Sequence, residues 1–139
     1  MSVVYSTSSQ NNFDELDVRL QRILTYVKDV LQIDHSVIEG FRPEEEQMAA
    51  YNSETSQLKW PESKHNRSPS LAVDVIPYIR IPSRKGGVHW HDGDPKIKEL
   101  YTREMVRLAT VIQMVGLIIF NTPVRWGGDW DRDWSVMDN

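Results

Sequence analysis

The sequence predicts an α+β fold, a small antiparallel sheet packed against helices. Two stretches repeat apolar residues at helical spacing, over residues 16–31 and 97–115. Three short β-prone runs, at 36–38, 71–77 and 124–126, lie between and after them. No internal repeat and no linker divides the 139 residues, the size of one ordinary domain.

Residues 1–12 are polar and rich in Ser and Asn and are expected as a flexible arm, with one domain over 13–139. A helix is expected to start near Asn12, which suits an N-cap with Glu15 three positions on. Its core stripe is Leu16, Leu20, Ile23, Leu24, Val27, Val30 and Leu31. Ser36, Val37 and Ile38 read as a strand, followed by a turn through Gly40 and Arg42. Pro43 then suits the first position of a helix, with Glu44, Glu45 and Glu46 near its positive end. That helix is expected to reach about Tyr51. Residues 52–70 are polar, contain Pro61 and Pro69, and read as a long loop, which in a small domain points to function or disorder. Residues 71–77 form a buried strand with one acid in it, Asp74. A second loop spans 83–93. Asp94 and Pro95 then open the longest helix as N-cap and first-turn proline, with the stripe Ile97, Tyr101, Met105, Leu108, Ile112 and Val115. Gly116 is placed to help end it, and 124–126 is the last expected strand.

The composition bounds the function. A chain of this length buries roughly two-thirds of its unfolded surface, so it folds without a disulfide or metal. The net charge of −4, with scattered basic residues, argues against nucleic-acid binding. There are no cysteines, so any metal site must use His, Asp and Glu. The most apolar segment, 111–120, is interrupted by Gln113 and Gly116 and is too short to span a bilayer. The first residues lack a basic region and a long apolar run, so no secretory signal is expected.

The strongest local signal is Ser63-Lys64-His65 running through Pro69 to Ala72-Val73-Asp74-Val75. A carboxylate inside an apolar strand is costly unless it is paired, hydrogen-bonded or bound to metal. Pro69 rules out one continuous helix through both His65 and Asp74. A loop that folds back can bring the imidazole to the carboxylate, and nitrogen plus oxygen ligands suit catalytic zinc. The plain alternative is a strand Asp that caps loop amides.

Three further segments stand with it: Glu39-Gly40-Phe41-Arg42-Pro43 leading to Gln47, then Ala72-Val73-Asp74, then Trp126-Gly127-Gly128-Asp129-Trp130. In this order and spacing, over about residues 13–130, they resemble the LAS-type zinc peptidases. These include D-alanyl-D-alanine carboxypeptidases and dipeptidases and phage L-alanyl-D-glutamate endolysins. The resemblance implies the hedgehog/D-Ala-D-Ala peptidase-like fold, a Zn2+ cofactor and a peptidoglycan peptide substrate. By the same resemblance His65 and Asp74 match two zinc ligands. Arg42 matches the residue that holds substrate and stabilises charge on the scissile carbonyl. Gln47, Ser63, Trp126 and Asp129 match positions at or near the substrate cleft. Read without the resemblance, Arg42 could instead pair with the Glu44–Glu46 cluster.

The sequence departs from the family pattern in two places. The loop between His65 and Asp74 is longer than usual and reads Asn66-Arg67-Ser68-Pro69-Ser70. The family's later acid-x-x-His motif, which supplies the acid/base and the third ligand, has no match, since no histidine follows His91. The chain is therefore expected to be truncated at its C-terminus, or to bind without catalysing, or to take its third ligand from His89 or His91. As given, weak or no hydrolysis and weak zinc binding are expected. His35 is expected to be structural.

These readings make the expected function a zinc metallopeptidase of peptidoglycan stem peptides, as a phage endolysin or virion-associated lysin. The competing reading is a non-catalytic phage structural or cell-wall-binding module of the same fold. The expected protein is a monomer with no nucleic-acid or membrane partner. It would sit in the host cytoplasm with release to the wall, or in the virion.

Overall fold

A computed structural model describes residues 3–81 and 93–126, and the backbone of 133–136. Among the described residues, four α-helices and four strands follow in the order α1 (Thr7–Asp14), α2 (Val18–Thr25), β1 (His35–Glu39), α3 (Glu44–Asn52), β2 (Ala72–Pro77), α4 (Pro95–Met114), β3 (Val124–Trp126) and β4 (Asp133–Val136). A single 3-10 turn, Lys64–Asn66, lies between α3 and β2. The strands form one antiparallel sheet in the order β1-β2-β4-β3. The α+β class and the small antiparallel sheet are as the sequence predicts.

The N-terminus corrects the expected arm. Residues 7–14 form α1, which Ser6 caps by accepting from the Ser9 N–H. The Ser9 hydroxyl in turn accepts from the Val37 N–H at 3.1 Å, and the Asn12 amide donates to the Val37 carbonyl at 2.9 Å. Asn12 therefore ties α1 to β1 and caps nothing. Its polar side chains read as solvated in the sequence because their partners are strand backbone groups 25 or more residues away.

The single helix expected from Asn12 onward is broken at residues 15–17. There Glu15 and Asp17 exchange backbone hydrogen bonds with Ser70, both at 2.8 Å. Asp17 caps α2 by accepting from the Arg19 N–H. Apolar spacing is blind to this break because Leu16 and Leu20 still reach the same core. After Thr25 the helix widens into a π turn, Tyr26–Val30. That turn shifts the phase of the stripe and leaves Val30 and Leu31, expected in the core, exposed.

The other two helices form where expected, although Pro43 stands as the N-cap of α3 and not as its first residue. Asp94 caps α4 by accepting from the Lys96 N–H, and all six residues of the expected stripe are buried. Gly116 does not end this helix. The chain runs on through a second π turn, Val115–Ile119, to Asn121 in the left-handed region (φ 49°). Instead, Gly116 lets the Thr122 carbonyl approach, since a Cβ there would lie 2.6 Å from that oxygen. Strand β4 was not expected from the sequence.

Helix α4 packs on β2 and β3, and α1 on β1. One core joins α2, α4 and the inner face of the sheet, with Leu20, Ile23, Leu24, Val73, Val75, Leu108 and Ile112 buried. Side chains alternate along a strand, so Asp74, between buried Val73 and Val75, lies on the other face. Among the described residues no helix is long and apolar enough to cross a membrane.

Candidate metal centre

The site forms where the end of β1 and the 3-10 turn meet the middle of β2. Strand β1 pairs normally with β2 up to Val37 opposite Val75. Its register then slips, so that Glu39 faces Asp74. One extra residue in β1, a β-bulge, re-aims the strand end. Regular pairing would have placed Ile38 opposite Asp74. The bulge substitutes a carboxylate there, and Ile38 points to solvent, 47% exposed.

Beyond the bulge the backbone passes Gly40, where a Cβ would sit 2.6 Å from the Asn12 carbonyl oxygen. Only glycine permits this approach to α1. It directs the Gly40 carbonyl to two partners, the Ser70 hydroxyl at 3.1 Å and His65 Nδ1 at 2.8 Å.

That second contact sets the chemistry of His65. A carbonyl only accepts, so Nδ1 carries a proton, and in the neutral ring Nε2 is then the nitrogen with a lone pair. Nε2 lies 3.3 Å from Asp74 Oδ1, and the imidazole is almost wholly buried. Metal-ligating histidines characteristically donate their other nitrogen to a carbonyl or carboxylate, which fixes tautomer and ring orientation. Zinc bonds of about 2.0–2.1 Å at a tetrahedral angle would set a nitrogen and an oxygen ligand about 3.4 Å apart. The observed separation fits one ion between them. Glu39, His65 and Asp74 offer ligand atoms within 4.8 Å of one another. The donor set is nitrogen and oxygen with no sulfur, as catalytic zinc sites use.

Arg42 stands on the other side of Asp74. Its Nη2 is 4.0 Å from Asp74 Oδ2, its Nε pairs with Glu39 Oε1, and its Nη1 donates to Gln47 Oε1 at 3.0 Å. The guanidinium is therefore held by Glu39 and Gln47 beside Asp74, and the expected alternative of a pair with Glu44–Glu46 is not what forms. Two of its five N–H donors are used in these hydrogen bonds.

The remaining sequence-predicted residues fall in different places. Gln47 is fully buried on α3. Its oxygen accepts from Arg42 and Asn66, and its nitrogen donates to Ser56 Oγ (3.0 Å) and Leu58 O (2.6 Å). With all four bonding positions filled from within the protein, it supports Arg42 and has none to offer a substrate. Ser63 caps the 3-10 turn, accepting from the His65 N–H at 3.2 Å. It orders the His65 turn from a buried position. Trp126 ends β3 and packs partly buried against the core. Asp129, His89 and His91 lie outside the described residues.

Glu39 is the site residue that sequence reasoning missed. Nothing in the apolar pattern reveals a bulge. The usable signal was the Glu39-Gly40-Phe41-Arg42 spacing, which places an acid three positions before the arginine it pairs with. His35 is structural as expected, but it has a partner that the sequence did not suggest. It is buried, Nδ1 donates to the Ile33 carbonyl at 2.9 Å, and Nε2 accepts from the Tyr5 hydroxyl at 2.6 Å. Burial lowers the His35 pKa below its ordinary value and raises that of Tyr5, with the negative charge of Asp29 adding to the latter.

Comparison with known proteins settles the family. The model of the phage L-alanyl-D-glutamate peptidase family matches residues 1–139. The chain belongs to that family. No curated protein matches the sequence. Among solved structures, the fold is similar to that of the L-Ala D-Glu endopeptidase ChiX of Serratia marcescens. The TM-score is 0.69 at 19% identity, covering 96% of this chain and 90% of the other. The LAS-type resemblance read from the motifs, and the fold it implied, are thus both found. In this member of the phage L-alanyl-D-glutamate peptidase family, the bulge, the Gly40 carbonyl and the buried His65 meet beside Asp74.

Proposed function

We propose that this chain hydrolyses the bond between L-alanine and D-glutamate in peptidoglycan stem peptides, with zinc held by His65 Nε2 and the Asp74 carboxylate. The observation that carries this reading is His65. Its Nδ1 is committed to the Gly40 carbonyl, and its Nε2 lies 3.3 Å from an Asp74 oxygen beside a buttressed arginine. Family membership supports the substrate and the bond.

Zinc in such a place supplies Lewis-acid chemistry, polarising the peptide carbonyl and acidifying water. The described residues supply two ligands and charge stabilisation. His65 and Asp74 present their ligand atoms without reorganisation, because the ring is fixed by Gly40 and the carboxylate by its strand. As water adds to the carbonyl carbon, negative charge grows on the carbonyl oxygen, and a proton of that water must pass to the leaving D-glutamate nitrogen; no described residue matches the family's acid for this transfer, so slow turnover is expected. Arg42 meets that charge with a guanidinium already oriented by Glu39 and Gln47. A preset donor of this kind contributes about 10²–10³ in rate. Glu39 balances the arginine's charge and stops it from collapsing onto Asp74. The working form is a monomer whose partner is the wall peptide, reached on release from the host cytoplasm or from the virion.

The test pairs metal content with product analysis. Protein equilibrated with excess zinc is expected to bind one ion per chain, weakly because two ligands hold it. His65→Ala and Asp74→Asn are expected to retain none. Mass spectrometry of purified peptidoglycan treated with the zinc-loaded protein is expected to show fragments with a new D-glutamate amino terminus, absent for His65→Ala. Zinc retained equally by His65→Ala would overturn the ligand assignment. Stoichiometric zinc with no fragment released would overturn the peptidase reading in favour of a wall-binding module.

A further inference from the structure

The loop that carries Arg42 and the turn that carries His65 are joined by more than the metal site requires, and the extra joints meet at one residue, Asn66. It follows His65 directly and is buried. Its amide nitrogen donates to the Arg42 carbonyl at 3.0 Å and to Gln47 Oε1 at 3.1 Å. Its amide oxygen accepts from the Ser63 N–H at 3.0 Å. The Arg42 N–H in turn donates to the His65 carbonyl at 2.7 Å.

The direction of this chain of amides is set by backbone groups that have no choice of role. The Ser63 N–H can only donate, so it fixes the oxygen end of Asn66. The Arg42 carbonyl can only accept, so it fixes the nitrogen end. The Leu58 carbonyl likewise takes the Gln47 nitrogen. Gln47 is left with its oxygen facing both Asn66 and Arg42 Nη1, and neither amide can flip without two acceptors or two donors meeting. The guanidinium orientation is thus read out from the His65 turn through two buried side chains.

We propose that Asn66 is a positioning residue that couples the metal-ligand turn to Arg42. It clamps the Arg42 backbone and holds the Gln47 oxygen on the guanidinium, so that ligand and cation share one geometry. This deepens the peptidase reading and rests on it.

Asn66→Asp tests it with little change of shape. The carboxylate still accepts from Ser63 but can no longer donate to Arg42 O or Gln47 Oε1, and it draws the Gln47 nitrogen toward itself and toward Arg42. Zinc per chain is expected to be unchanged. On a soluble stem peptide kcat is expected to fall roughly 10- to 100-fold, the range for weakening one preset donor, with KM changed by less than about 3-fold. In an Arg42→Ala background the same substitution is expected to have no further effect on kcat, because the group it positions is gone. A loss of equal size in both backgrounds would show a merely structural role and overturn the proposal.

A second readout does not depend on turnover. The Arg42 Nη1–H proton that donates to Gln47 Oε1 should exchange slowly with solvent in the parent protein and at least about 10-fold faster in Asn66→Asp, because opening then needs no break of the amide chain. Unchanged protection overturns the proposal, whatever the activity. Failure of the parent protein to release fragments, with protection still lost in the variant, would instead sink the peptidase reading and keep the coupling.

Discussion

Replacing Gly40 by alanine tests the central geometry at a residue that touches neither metal nor substrate. The added Cβ would lie 2.6 Å from the Asn12 carbonyl oxygen, 3.3 Å from Leu16 Cδ2 and 3.4 Å from Glu15 Cβ. The closest atom is backbone, held at the end of α1 where the Asn12 carbonyl accepts from the Glu15 N–H, so it cannot swing aside. Relaxing that contact to an ordinary carbon–oxygen distance of about 3.3 Å needs about 0.7 Å of backbone movement. Overpacking of this kind costs about 2–3 kcal/mol, or about 6–12 °C in Tm for a domain of this size. The same movement displaces the Gly40 carbonyl from His65 Nδ1, and loss of such a ligand-orienting bond weakens metal binding about 10- to 100-fold. Gly116→Ala is the control. Its Cβ would also lie 2.6 Å from a carbonyl oxygen, that of Thr122, but beside Ile23 and Val124 at the end of α4. It is expected to lower Tm comparably and leave zinc affinity within about 2-fold, since it moves no group that orients a ligand. Thermal melts and zinc titration at a temperature where all three proteins are folded decide the matter. Zinc affinity unchanged in Gly40→Ala, or lost equally in Gly116→Ala, would refute the reasoning.

Three further outcomes follow from the fold. Tyr5→Phe removes the donor to the buried His35 Nε2 and should destabilise by about 1–3 kcal/mol, measured by urea unfolding; a change below about 0.5 kcal/mol would contradict it. Because burial lowers the folded-state pKa of His35, the unfolded chain binds this proton more readily. Its contribution to stability is full above pH 6.5 and is lost as pH falls through the lowered folded value. The difference in unfolding free energy between the parent and His35→Gln should shrink over that window, and a pH-independent difference would refute it. Asp17→Ala should cost about 1 kcal/mol by uncapping α2, and because the Arg19 contact holds the Asp17 carboxyl below its ordinary pKa, that cost should vanish in strong acid.

Much of this was legible because it depended on local pattern. The α4 cap and stripe, the buried β2 with its one acid, and the pairing of His65 with Asp74 all leave marks within a few residues of one another. What escaped depended on contacts distant in sequence. The bulge that brings Glu39 opposite Asp74 leaves no trace in period-2 alternation. Helix α1 looked like a solvated arm because Ser9 and Asn12 satisfy strand backbone rather than apolar neighbours. Gln47 was expected near the substrate, and its burial and four internal partners, which set it behind Arg42, cannot be read from its position. Strand β4 is only four residues long, too short for its pattern to stand out in the sequence.

The most direct test of the account is the protonation of the two ring nitrogens of His65, read by long-range proton–nitrogen NMR before and after one equivalent of zinc. The account predicts that Nδ1 carries its proton throughout and that the Nε2 resonance shifts on metal addition, with Asp74→Asn abolishing the shift. An Nδ1 without a proton, or an Nε2 resonance indifferent to zinc, would contradict it.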